Sequence, residues 1–517
     1  MVGLPDLPVE LVREVCSQLC TEKYNGGHAD ISSLSRTCKP LRDIVQPLVF
    51  TAFAPDSQAT CTSCVQILQL IHALNLRPDL AQYLKYIDLT EADWGDPLSQ
   101  NEIDLLKWIV TKLNFEPLPP WDTISKPDNN PLPIIELLLF HSPNLVRFEL
   151  ALSDEWRPVF SPAIYRRHAA SANIDEMAPC IILPRLVTLT LTHYCISEYY
   201  WELGLTNFLT VLHAAAPNLR YLCTDNPGDE TKAVTVTSTT SSTTTMSGGG
   251  YNNTIYYPPL TNLLRLEFDC VCSLRKDVLR GIVAAAPGLQ VFSLSTTCVS
   301  PSSDPNPSIS WDLTNDDLES SVPGECTVLD VWEVLHLRKE TLREIRLDIM
   351  HDMRPGSIIT QGKQGGQSEQ ECSGSFEEFR RLKVLKMGNY ALKVLEELWK
   401  KRAGTGNGGG EFLENLLPSC IREMAFWEPE KSWIVPLERL ARVMALNPQR
   451  YPDLLSVVVA PTPDNELSRK WAAKDAWLRA RWDLEKQFEW AGARFEAQKM
   501  HVRERAGPFE LRNPFQF

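Results

Sequence analysis

The chain has 517 residues, with 51 Lys and Arg against 65 Asp and Glu and a net charge of −14. That length allows several domains or one long repeat array, and 44% hydrophobic with 22% charged residues is ordinary for a folded soluble protein. The acidic balance argues against a dedicated nucleic-acid binder, whose face would carry clustered Lys and Arg; a partner protein or a small ligand is the natural expectation.

The N-terminus, MVGLPDLPVELVREV, has no basic stretch and carries Asp6, Glu10 and Glu14, so it does not read as a signal peptide. No apolar run is long enough to span a membrane. The fourteen cysteines are scattered, which fits reduced residues of a cytoplasmic and/or nuclear protein rather than a disulfide framework, and the Asn252-Asn253-Thr254 sequon should stay unused.

The first fifty or so residues read as three short helices. LPDLPVELVREVCSQL places Pro8 where a first turn tolerates it and Glu10 where the helix dipole favours it. Leu11, Val12, Val15 and Leu19 form one apolar stripe. A polar loop, TEKYNGGHAD, ends that helix. ISSLSRTCKPLRDIVQPLVF then supplies two more, the first capped by Ser32 or Ser33 and broken by Pro40.

From Leu84 onward a Leu-x-x-Leu-x-Leu pattern recurs, often after a Pro-Asn turn. The copies are QYLKYIDL, PNLVRFEL, PRLVTLTL, PNLRYLCT, TNLLRLEF, PGLQVFSL, ETLREIRL, RRLKVLKM, SCIREMAF and PDLLSVVV. Each reads as a short strand with alternate apolar residues, such as Phe148 and Leu150, pointing inward. The apolar stretches between them, DVLRGIVAAAPGLQVF for instance, read as helices that stop before the proline of Ala-Ala-Pro. Such units bury a face only by stacking, with strands in a parallel sheet and helices outside. An ordinary α/β domain with parallel strands is the other reading. Segments near 228–256, 361–375 and 403–411 are rich in Ser, Thr, Gly and Gln and are expected to be disordered loops.

The segment from Asn465 to Arg505 lacks proline, and Trp477, Leu484, Phe488, Ala491, Phe495 and Val502 fall on one helical stripe, with Leu467, Trp471, Leu478 and Trp482 on a second. A long C-terminal helix packed on the last strand is expected; a free amphipathic helix for a partner or a membrane surface is the alternative. Cys61-Thr-Ser-Cys64 has zinc-knuckle spacing but no second ligand pair, and Cys270-Val-Cys272 lacks one too. No GxSxG, HExxH or GxxxxGK[ST] occurs, so no catalytic residue, metal or cofactor is assigned and no enzyme activity is expected.

Two resemblances give these elements a meaning. The recurring strand pattern resembles the leucine-rich repeat family, although its spacing of about 41 residues exceeds the usual ~20–29 and the consensus asparagine is mostly missing, with Asn389 as one candidate. Leu7-Pro8-x-Glu10-Leu11, then Leu34-Ser35-x-Thr37-Cys38-x-x-Leu41-Arg42, then Pro47-Leu48-x-Phe50, is similar to the F-box of fungal proteins. The loop at Tyr24–Asp30 is longer than usual in that family, and Ser33 and Ser35 are more polar. The F-box resemblance implies docking on the S-phase-kinase-associated linker subunit and cullin scaffold of an SCF-type ubiquitin ligase. Leu7, Pro8, Leu11, Val15, Leu34, Cys38 and Leu41 would furnish that contact.

Together these readings give an α/β chain in three parts: an F-box over 1–53, a leucine-rich-repeat-like solenoid over 54–464 with strands lining a concave face, and a C-terminal helix and tail over 465–517. The chain would be a substrate-recognition adaptor. The residues alternating with the inward leucines would line the concave face and meet a protein substrate: Tyr86, Arg147, Glu149, Tyr221, Arg265, Glu267, Glu344 and Arg346, with Asp88, Thr188, Thr190 and Cys223 beside them. That face mixes both signs of charge, unlike a nucleic-acid groove. A scaffold whose N-terminal helices only cap the solenoid, and an enzyme with an unrecognised site, are the competing readings.

Overall fold

The computed structural model describes residues 4, 7–20, 26–55, 63–92, 94, 98–112, 132–152, 183–193, 209, 212–213, 215–225, 257–269, 274–295, 326–349, 375–403, 412–427, 433–460 and 471–497. The loops read near 228–256, 361–375 and 403–411 lie outside them, apart from Ser375 and Ala403. So do Cys61, Cys270 and Cys272.

The N-terminal segment folds as α1 (Val9–Cys20), α2 (Gly26–Ser35) and α3 (Lys39–Val49). The Pro8 carbonyl accepts from the amides of Leu11 and Val12, at 3.0 and 3.1 Å, and so starts α1. Pro40 stands in the first turn of α3, where its missing N–H costs nothing. Val12, Cys16, Ile31, Leu41 and Val45 form the buried centre of the three helices. One expectation needs correcting: α2 begins at Gly26 rather than at a Ser32 or Ser33 cap. Starting there places Ile31 mid-helix, fully buried among Val12 and Cys16. Burial of Ile31 therefore overrides the capping preference of the serines.

The strands are β1 (Ala52–Phe53), β2 (Tyr86–Leu89), β3 (Arg147–Leu152), β4 (Thr188–His193), β5 (Tyr221–Asp225), β6 (Arg265–Asp269), β7 (Val291–Ser295), β8 (Glu344–Asp348), β9 (Val384–Gly388), β10 (Glu423–Trp427), β11 (Ser456–Ala460) and β12 (Arg494–Ala497). All ten copies of the leucine pattern are strands, β2 to β11. The described residues divide into two compact units, the first holding those up to Thr224 except Leu209, the second holding Leu209 and those from Asp225 onward. Within each, strand order follows chain order and paired neighbours run parallel. The described helices between strands are α4 (Ser63–Leu76), α5 (Pro78–Ala81), α6 (Gln100–Lys112), α7 (Leu132–Phe140), α8 (Lys276–Ala285), α9 (Val328–Leu335), α10 (Asn389–Ala403), α11 (Phe412–Leu416), α12 (Ile434–Leu446) and α13 (Trp471–Trp490). As the Ala-Ala-Pro rule requires, α8 stops one residue before its Ala286 cap and Pro287.

Register is set by one repeated device. At β1–β4 and β6–β10 the carbonyl of the residue leading into the strand accepts two amides from the next copy. Val146 and Arg147 both donate to Lys85, Lys383 and Val384 to Arg343, and Arg422 and Glu423 to Lys383, all at 2.8 to 3.0 Å. The Pro-Asn turns add a second stitch: the Asn144 side chain donates to the Gln82 carbonyl at 3.0 Å, and Asn218 to that of Pro184 at 2.7 Å. Each copy is thereby held in step with its predecessor, and Phe148, Leu150, Leu189, Phe268, Phe292, Ile345 and Leu385 all fall on the buried side. The Asn389 side-chain oxygen accepts from the Trp433 indole at 3.2 Å.

The long C-terminal helix is corrected. α13 ends at Trp490, and Phe495 lies on β12, parallel to β11. Gly492 adopts φ +83, its amide bonds the Glu489 carbonyl at 3.0 Å, and the Ala493 amide bonds that of Phe488 at 2.8 Å. These are the two bonds of a Schellman helix stop. Phe488 then stacks on Phe495 with ring centres 5.5 Å apart. Leu484 and Phe488 are buried as the helical stripe required, whereas Trp482 is exposed. An added Cβ at Gly492 would meet nothing within 4 Å. Gly492→Ala should therefore cost about 1 kcal/mol through left-handed strain alone, with Gly492→Asn milder, as read by urea unfolding. A neutral alanine variant would contradict this account of the helix end.

Candidate functional site

Two surfaces can meet a partner, and both follow from the packing just described. The first is on α1. Its apolar stripe splits into two adjacent faces: Val12 and Cys16 turn inward, while Leu11 is 51% exposed and Val15 43%. Pro8 is also exposed, and 8, 11 and 15 are one helical face by their spacing of three and four. Leu7, Leu34 and Cys38 are half-buried against the same core. Leu41, in contrast, is only 3% exposed and sits in the centre of the three helices. The sequence-derived set thus divides into an exposed group (Pro8, Leu11, Val15), a rim (Leu7, Leu34, Cys38) and a core residue (Leu41). Exposing two large aliphatic side chains on one helix face costs solvation free energy that covering them would recover, about 1.5–3 kcal/mol per residue fully buried.

The second surface is the face of the strands opposite the leucines. In the first unit, Tyr86, Arg147, Thr188 and Tyr221 are paired neighbours, and so are Asp88, Glu149, Thr190 and Cys223. In the second unit, Arg265 and Glu344 share a row through Val291, and Glu267 and Arg346 share one through Ser293. All eight sequence-derived residues thus lie on this face. Ion pairs tie them along their own strands: Arg147 to Glu149, Arg265 to Glu267 at 2.6 Å, and Arg346 to Glu344.

The face is less open than expected. Glu149 is 3% exposed, and Thr190 and Cys223 are buried too. Removal from water pushes the Glu149 carboxyl up to about 7, opposed by the Arg147 guanidinium and reinforced by Asp88. Burial likewise raises the Tyr86 phenol. Alternation identified the face and not its depth, because burial by surrounding chain leaves no mark on a strand's own pattern.

Lys386 was missed, although RRLKVLKM carries the same alternation. It is the partner of Arg346 in the β8–β9 register and lies 3.9 Å from Glu344. Burial, then the neighbouring Arg346, pull its ammonium below the ordinary lysine range. Cys64 is buried within α4, and among the described residues no three His, Cys, Asp or Glu side chains gather as a metal site would need. No described helix is long and apolar enough to cross a membrane. No model of a known protein family matches the chain, and no curated protein matches it either.

Glu149 gives a pH test with a definite sign. Its carboxyl holds a proton more tightly in the folded than in the unfolded chain, so its ionisation destabilises the fold as pH rises from about 4.5 to about 7. Relative to wild type, Glu149→Gln should gain stability on going from about pH 4 to about pH 8, by on the order of 3 kcal/mol at most. Chemical unfolding at both pH values checks it, and a pH-independent difference would contradict the raised carboxyl.

Proposed function

We propose that this protein is the substrate-recognition adaptor of an SCF-type ubiquitin ligase, an F-box protein with a leucine-rich-repeat-like receptor domain. The observation that carries the reading is the α1 face. Three helices with their own core leave Pro8, Leu11 and Val15 outside it, at the positions where the F-box resemblance puts linker contacts. Behind them, the parallel strands in chain order supply a repeated face of the kind that solenoid receptors use for partners. In this reading the strands form an irregular solenoid whose concave side receives a protein substrate. The chain does no chemistry itself and works by holding that substrate near a separate catalytic subunit.

The test is co-expression of the full chain with the S-phase-kinase-associated linker subunit, followed by size-exclusion chromatography. The expected result is a one-to-one complex. Leu11→Asp should abolish it with an unchanged circular dichroism spectrum, because Leu11 is exposed and contributes little to the helix core. Leu41→Asp should lose the complex together with the helices, because an unpaired charge would enter that core. A folded wild-type chain that leaves the linker unbound would overturn the ligase reading and leave a repeat scaffold.

A further inference from the structure

The residues that lead into β8, β9 and β10 are Arg343, Lys383 and Arg422. Their backbones are bonded in succession: the Lys383 amide donates to the Arg343 carbonyl and the Arg422 amide to that of Lys383, each at 2.8 Å. Neighbouring strands lie about 4.8 Å apart, so three cations stand in a row roughly 10 Å long. All three are exposed, and among the described residues none is in an ion pair. Like charges at that spacing repel.

Further along the same strands, Arg346 and Lys386 share the single carboxylate of Glu344. Across the leading and face positions of these strands, five cations meet three carboxylates, Glu344, Asp348 and Glu423. This local excess occurs in a chain of net charge −14. It is also confined. Gln290 leads into β7 and Leu455 into β11, while the corresponding row of the first unit reads Lys85, Val146, Val187 and Arg220.

We propose that the leading ends of β8–β10 form a basic docking strip for an extended segment of a partner protein rich in aspartate and glutamate. Taking that partner as the substrate rests on the receptor reading above; the strip itself rests on charge complementarity. A carboxylate segment would neutralise the row at its own scale. A nucleic-acid strand is a poorer fit, because it needs a basic track longer than three strands and would be repelled at range by the rest of this acidic chain.

The experiment is fluorescence anisotropy of a labelled Asp/Glu-rich peptide titrated with the full chain. Its Asn/Gln counterpart and a labelled single-stranded oligonucleotide serve as controls. The wild type should bind the acidic peptide, more weakly at higher salt, and should prefer it to both controls. Lys383→Glu with Arg422→Glu should weaken it by about tenfold or more, whereas Lys85→Glu with Arg220→Glu should leave it unchanged. Circular dichroism checks that both exposed-site variants fold. No binding, equal binding of the Asn/Gln peptide, tighter binding of the oligonucleotide, or an unchanged affinity after reversal overturns the strip. Linker co-elution is read on the same samples. A chain that takes the linker and not the peptide loses the strip and keeps the receptor reading; the converse keeps the strip and loses the receptor.

Discussion

The backbone carbonyl at the head of a strand, shared by two amides of the following copy at β1–β4 and β6–β10, is the constraint on which the other features depend. One acceptor takes two donors from the following copy, and the Asn144 and Asn218 side chains tie turn to turn. A slip of one residue would turn every leucine outward and every charged residue into the core, so the register is defended by hydrogen bonding and burial together. The irregular spacing of the copies does not disturb this. Extra chain leaves from the ends of the strands, and the ladder sees only the few residues on either side of each leading carbonyl.

Two kinds of surface follow. Along a strand, alternation sends one set of residues into the core and the other to the opposite face, where intra-strand pairs such as Arg265 and Glu267 compensate each other. At the head of the strand the same lock aligns the leading residues across neighbours, which is why Arg343, Lys383 and Arg422 are in line despite lying about forty residues apart in sequence. The N-terminal helices obey a different rule. Val12, Cys16, Ile31, Leu41 and Val45 form their buried core, and Leu11 and Val15 lie outside it, each about half exposed.

Much of this was legible in the sequence because a period-two pattern repeated ten times is hard to mistake. Every copy of Leu-x-x-Leu-x-Leu is a strand, and the helix before Pro287 stops where the proline demands. The two outer strands were not legible. Ala52–Phe53 is too short to show a period, and Arg494–Ala497 sits behind a glycine whose left-handed conformation ends a helix that the stripe of Phe488 and Phe495 appeared to continue. Nor was the division of the α1 stripe, since Leu11 and Val12 are equally apolar and only the placement of α2 and α3 decides which of them is covered. The raised Glu149 carboxyl likewise depends on burial that the alternation of its own strand does not reveal.

The central functional claim is that α1 presents a docking face independent of the strands. Hydrogen–deuterium exchange on the full chain, with and without the linker subunit, tests it most directly. The account requires new protection within Val9–Cys20 and the adjoining helices, with the exchange of β2–β11 unchanged. Protection confined to the strands, or none anywhere in the presence of excess linker, would contradict it.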